Sequence, residues 1–212
     1  MKLSRLIVFG LALSLLLFPS RPSVLVAQQP ATTANDIQSK APSVVLILRH
    51  AEKPMNDKDP NLTARGFQRA QALPALFLQA PGSTAQPRLP LPSFLFATAT
   101  SKHSDRPIET ITPLSQALHL KINHVFEDHE TTALASEILN GKYAGKVVLI
   151  CWHHGEIPNL AQAFGVTNAP KKWDDAVFDQ IWRLEWKNGQ VRFSTMPEHL
   201  LSGDSSNEAY LR

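Results

Sequence analysis

The sequence predicts an α/β fold: three α/β/α layers around a mostly parallel sheet, closed by a C-terminal antiparallel hairpin. Three observations carry that prediction. First, "SVVLILR" (43–49), "SFLFATA" (93–99) and "GKVVLICW" (145–152) are short, β-branched or aromatic runs without polar alternation, as expected of strands covered on both faces. Second, helix-type segments lie between them: "NLTARGFQRAQALPALFLQ", "DRPIETITPLSQALHL" and "HETTALASEILNGKYAG". Strands alternating with helices build a parallel sheet with helices on both sides. Third, "DQIWRLEWKNGQVRFSTM" alternates large and polar residues around Asn188 and Gly189, the pattern of a hairpin added at a sheet edge.

The individual elements have local signals. Asn61 or Thr63 can cap the first helix, and Gly141 and Gly145 mark the end of the third. The "PRLPLP" run (87–92) is a Pro-rich connector, too short to divide domains. Trp152, Phe164, Trp173, Trp182 and Trp186 are expected in the core or at its edge, and Cys151, inside an apolar strand, as a buried thiol.

Residues 1–27 are set apart from this domain. Lys2 and Arg5 precede an apolar run from Leu6 to Phe18, followed by Pro19 and small residues to Ala27. The run falls short of the ~20 residues of a bilayer span and fits a signal peptide cleaved near Ala27, so a secreted or periplasmic location is expected, with no membrane contact after cleavage. Residues 28–42, "QQPATTANDIQSKAP", form a polar, flexible lead-in, and the folded domain runs from 43 to 212. With Cys151 as the one cysteine, an internal disulfide is impossible.

The 212 residues carry 21 Lys and Arg against 18 Asp and Glu, but Lys2, Arg5 and Arg21 all lie within 1–27, where there is no acid. The mature chain therefore balances at 18 against 18. It lacks the basic footprint that a nucleic-acid backbone demands, so nucleic acid is excluded as a partner.

In open α/β sheets ligands lie beyond the carboxyl ends of parallel strands. After the first strand come Arg49, His50 and Glu52; after the second His103, Asp105 and Arg106; after the third His153, His154 and Gly155. Guanidinium forks and imidazoles gathered at one edge suit a phosphoryl group, because arginine binds its oxygens bidentately and a neutral imidazole can attack phosphorus.

The motifs in that order are specific. "LRHAEKP" resembles the "RHG" signature of the histidine phosphatase superfamily, the phosphoglycerate mutase-like fold, in an "RHAE" form. "LTARGFQRAQAL" resembles that family's following helix, "SDRPIET" its second-arginine segment, and "VVLICWHHGEIPNLA" the strand that bears its second histidine. Together they run from about residue 44 to 161, and the tail from "FDQIWRLEW" to "MPEHLLSGD" resembles the end of small exported bacterial members.

The resemblance implies His50 as the nucleophile that becomes a phosphohistidine, Arg49 and Arg106 as the phosphate clamp, and His154 as the histidine that hydrogen-bonds the transferring group. Asn56 falls where many members place a pocket asparagine. A carboxylate that protonates the leaving alcohol is expected downstream of the second arginine, where "FEDHE" offers Glu127 and Asp128 equally; Glu52 is a third candidate by nearness and otherwise lines the substrate pocket. Small members with good leaving groups manage without such an acid. The expected ligand is a small phosphorylated substrate or phosphate, with no cofactor and no metal.

Two other classes compete with a phosphatase. A non-catalytic phosphate-binding protein would keep the pocket and lack turnover. A metallohydrolase would use His153 and His154 as ligands, though no HExxH or clustered carboxylate pattern accompanies them. Thr110 is expected to satisfy a backbone carbonyl, and Glu109 to complement the dipole at its helix start.

Overall fold

The computed structural model describes residues 33–55, 58–78 and 88–204, so the expected signal peptide and Asn56 lie outside the described residues. Where composition suggests a flexible lead-in, Ala34–Lys40 form a short helix, α1. Thr33 and Asp36 close a reciprocal capping box at its start, so two otherwise orphaned N–H groups are satisfied locally.

Six strands form one sheet in the order β3-β2-β4-β1-β5-β6. The first four neighbours run parallel: β3 (Ile122–Asn123), β2 (Phe94–Ala97), β4 (Val147–Trp152) and β1 (Val44–Arg49). The hairpin β5 (Gln180–Lys187) and β6 (Gln190–Pro197) then adds antiparallel to β1 and closes that edge. Its two-residue turn places Asn188 at φ 54° and Gly189 at φ 73°, the positive pair that lets a tight turn match strand twist.

The helices cover both faces. Along β1, Val45 and Ile47 join a core shared with Leu134 and Ile138 of α4 (Thr131–Ile138) and Ile157 and Leu160 of α5 (Ile157–Ala163). The alternate residues Val44, Leu46 and Leu48 pack on the other side against Ile111 and Leu114 of α3 (Arg106–Leu118) and a 3-10 turn, Leu73–Leu76, that continues α2 (Ala64–Ala72). This is why β1 shows no polar alternation: its period of two divides residues between two cores, not between core and water. Each such side chain taken out of water contributes about 1.5–3 kcal/mol. The three-layer architecture is the one the sequence predicts, with the tryptophans at 152, 173, 182 and 186, Phe164 and Cys151 all buried.

The local signals resolve as follows. Thr63 caps α2, its hydroxyl accepting from the Gly66 N–H at 3.1 Å. Gly66 sits where α2 crosses the chain just after β1, and a Cβ there would stand 2.5 Å from the Glu52 carbonyl oxygen. Only glycine lets the helix approach so closely. The α1, α5 and β3 segments were too short or too weakly patterned to read from sequence. Among the described residues no helix is long and apolar enough to cross a membrane.

Candidate active site

The parallel register of β1 and β4 builds the centre of the site. Arg49 pairs with Trp152 across the strands, so the residues that follow, His50 and His153, leave the sheet at the same level. The His50 N–H donates to the Trp152 carbonyl at 3.0 Å, and the two imidazoles meet edge to face with centroids 5.4 Å apart.

His50 is almost wholly buried, and its Nδ1 lies 2.7 Å from the Ala51 carbonyl oxygen. Because a carbonyl can only accept, the proton belongs on Nδ1 and the lone pair on Nε2. Burial, followed by the proximity of His153, Arg49 and Arg106, outweighs the Ala51 hydrogen bond and holds the His50 pKa well below the ordinary imidazole value. The ring is therefore a neutral imidazole at physiological pH.

Both arginines are buried at this edge, and both are anchored through their outer nitrogens. Arg49 Nη1 donates to the carbonyls of Asp175 at 2.7 Å and Val177 at 3.0 Å, and its guanidinium carbon lies 3.8 Å from the Phe178 ring centroid. Arg106, the first residue of α3, donates from Nη1 to the Asp59 carbonyl at 2.9 Å and from Nη2 to the His103 carbonyl at 3.2 Å. Among the described residues neither Nε has a partner, although both are buried. Buried donors are ordinarily satisfied, so two unpaired guanidinium N–H groups around a neutral imidazole mark a place suited to an anion. Burial, assisted by Arg106 and opposed by Asp175, lowers the Arg49 pKa to about 10, which still leaves it cationic.

The second histidine beside His50 is His153, not His154. The family resemblance implies His154, but β4 ends at Trp152, so neither histidine is on the strand, and the β1–β4 register sets His153 level with His50. His153 Nε2 lies 2.9 Å from Ser104 Oγ, and its Nδ1 lies 3.0 Å from Asp128 Oδ1, within ion-pair range though off the line of a hydrogen bond. His154 turns elsewhere, its Nε2 3.1 Å from Asp175 Oδ1. The two histidines thus face different carboxylates. Among the described residues no group of three or more His, Cys, Asp or Glu side chains could hold a metal ion.

The three candidate acids separate sharply. Asp128 is brought to His153. Glu127 lies largely exposed at the surface, 3.7 Å from His129, while its N–H donates to Glu130. Glu52 is committed to two arginines, its carboxylate accepting from Arg69 at 2.8 and 3.1 Å and from Arg65 at 3.1 Å, and with them it lines a hollow bordered by Val177 and Phe178. Burial alone would raise its pKa, but the Arg69 hydrogen bond and the two cations lower it, so Glu52 is an ionised anchor for α2.

Arg69 also binds Asp204 at 2.8 Å and the fully buried Glu198 at 3.2 Å, which ties α2 to the segment after β6. Glu52 and Asp204 already balance Arg65 and Arg69, so at Glu198 burial wins over attraction and its pKa rises to about 8. Thr110 does what its position predicts, donating to the Arg106 carbonyl at 2.7 Å; its oxygen also accepts the Ala51 N–H at 2.9 Å. Glu109 accepts from the Leu62 N–H at 2.8 Å.

Sequence reasoning missed Ser104, Asp175, Phe178 and the Arg69 cluster. Ser104 stands two residues before Arg106 in a segment already singled out, a signal that was available. Asp175 and Phe178 belong to "WDDAVF", which no strand end announces.

No family profile matches the sequence, and no curated protein matches it. Solved structures do resemble it. A protein assigned as the phosphohistidine phosphatase SixA of Agrobacterium tumefaciens is 19% identical, with a TM-score of 0.44 over 73% of this chain and 97% of that one. The phosphoglycerate mutase of Bacillus anthracis is 12% identical, with a TM-score of 0.49 over 74% of this chain and 94% of that one. A mycobacterial glucosyl-3-phosphoglycerate phosphatase solved with inorganic phosphate is 14% identical, with a TM-score of 0.44 over 73% and 95%.

Proposed function

We propose that the chain is a phosphatase of the histidine phosphatase type, hydrolysing a small phosphomonoester through a phosphohistidine on His50. The observation that carries this function is a buried His50, proton on Nδ1 and lone pair on Nε2, between two buried guanidiniums with unpaired Nε groups. The ordered motifs from residue 44 to 161 support it independently.

Arg49 and Arg106 receive the phosphoryl oxygens and offset charge that would otherwise repel a nucleophile. His50 Nε2 attacks phosphorus; the N–P bond forms as the ester P–O bond breaks, and the electron pair leaves with the alcohol oxygen, which takes a proton from solvent water. A second water then attacks the phosphohistidine, the N–P bond breaks with its electron pair returning to Nε2, and the attacking water gives one proton back to solvent and keeps the other on the released phosphate. His153, in place of His154, is the second histidine of this mechanism, because it is the ring in contact with His50. The basic and apolar start of the sequence supports export of the mature domain.

The test is hydrolysis of an aryl phosphate by the purified domain, with acid-sensitive label trapped on His50. Binding of phosphate or vanadate without turnover would establish a receptor instead. Hydrolysis that survives His50→Ala would overturn the mechanism.

A further inference from the structure

What the carboxylate beside the second histidine does decides where the leaving alcohol finds its proton. His153 has a partner at each ring nitrogen: Ser104 Oγ hydrogen-bonds Nε2 at 2.9 Å, and Asp128 Oδ1 stands 3.0 Å from Nδ1, in ion-pair range though off the line of a hydrogen bond. Each partner is itself held. The Asp128 carbonyl accepts from Trp152 Nε1 at 2.9 Å, which fastens the loop before α4 to the last residue of β4. Ser104 is 4% exposed, and its N–H donates to the Ser101 hydroxyl at 3.1 Å.

A general acid must carry a proton and reach the leaving oxygen. A carboxylate against a ring nitrogen does something different: it keeps that nitrogen protonated and fixes the orientation of the imidazole. Ser104 suits the opposite nitrogen, since a hydroxyl both donates and accepts and so meets Nε2 with or without a proton.

Resting on the phosphohistidine mechanism above, we propose that Asp128 and Ser104 are positioning residues that act through His153, and that Asp128 is not the proton donor to the leaving alcohol. Asp128 draws the ring proton to Nδ1, and Ser104 donates its hydroxyl to Nε2 and so holds the ring edge-on to His50.

The experiment compares Asp128→Asn, Ser104→Ala and His153→Ala with the parent chain on two substrates, an aryl phosphate with a good leaving group and an alkyl phosphate with a poor one. Asp128→Asn is expected to lower kcat roughly 100-fold, less than the ~10⁴ of a fully buried orienting aspartate because this side chain is about half exposed. The loss is expected to be equal for the two substrates and to vanish on the His153→Ala background. Nitrogen NMR of the His153 ring should show Nδ1–H in the parent and a mixture of tautomers in Asp128→Asn.

A loss at least tenfold greater for the alkyl ester would make Asp128 the leaving-group acid and overturn the proposal, as would unchanged kinetics with an unchanged tautomer. If the parent hydrolyses neither ester, the proposed activity fails, and the NMR comparison still decides whether Asp128 sets the tautomer.

Discussion

The imidazole of His50 lies edge to face with that of His153 at 5.4 Å, and this contact follows from one step of strand register between β1 and β4. His154, one residue further on, pairs instead with Asp175. Substitution should separate the two neighbours. His153→Ala is expected to reduce kcat by about 10² or more, and His154→Ala by less than about tenfold, measured as steady-state hydrolysis of an aryl phosphate. The reverse order would move the second catalytic position to His154.

The nucleophile should remain competent into mildly acidic solution. Burial first, and the nearby cations after it, hold the His50 pKa well below 6.5, so protonation of this ring begins to lower kcat/KM only below that pH. A kcat/KM profile whose acid limb begins above pH 6.5 would contradict a buried neutral His50. The same shift has a sign for stability. Below pH 6.5 the unfolded state binds a proton that the folded state resists, so this ring makes stability fall as pH decreases from 6.5 towards its folded pKa.

Glu198 acts in the opposite direction. Its carboxyl titrates at about 8 in the fold and near 4.5 in the unfolded chain, so between those values the folded state holds the extra proton. Stability from this group is fully present below pH 4.5 and is lost as pH rises through 8. Glu198→Gln keeps an oxygen able to accept from Arg69 and removes the titration. Thermal melts from pH 6 to 9 should show the variant flatter than the parent and relatively more stable at pH 9; parallel curves would place the proton elsewhere.

Gly66→Ala should destabilise despite alanine's better helix propensity. The propensity gain is about 1 kcal/mol, whereas the new Cβ would sit 2.5 Å from the Glu52 carbonyl oxygen and 3.1 Å from its nitrogen. Backbone, not a flexible side chain, must yield, at a cost of roughly 1–3 kcal/mol. Because the displaced chain begins two residues after His50, kcat should fall together with Tm. A variant as stable and active as the parent would show that α2 does not constrain that turn.

Much of this molecule was legible in one dimension. Three unalternating apolar runs announced a sheet with two cores, and Asn188–Gly189 announced the hairpin. Glycine at 66 and arginine at 69 belonged to a motif whose meaning emerged only when α2 was seen crossing the chain after β1. Local patterns of this kind survive because the physics behind them is local: strand period, turn dihedrals, caps and breakers act over a few residues.

The sequence by itself determined the α/β architecture and the gathering of Arg49, His50, Arg106 and a histidine pair at the carboxyl ends of the parallel strands. Only the tertiary structure decided which histidine of the pair, His153, stands beside His50, because strand register is a long-range property and a slip of one residue exchanges neighbours. It alone assigned the acids too: Asp128 to His153, Glu127 to the surface, Glu52 to Arg65 and Arg69. Each partner of a carboxylate comes from a distant part of the chain, and one-dimensional spacing does not encode that distance.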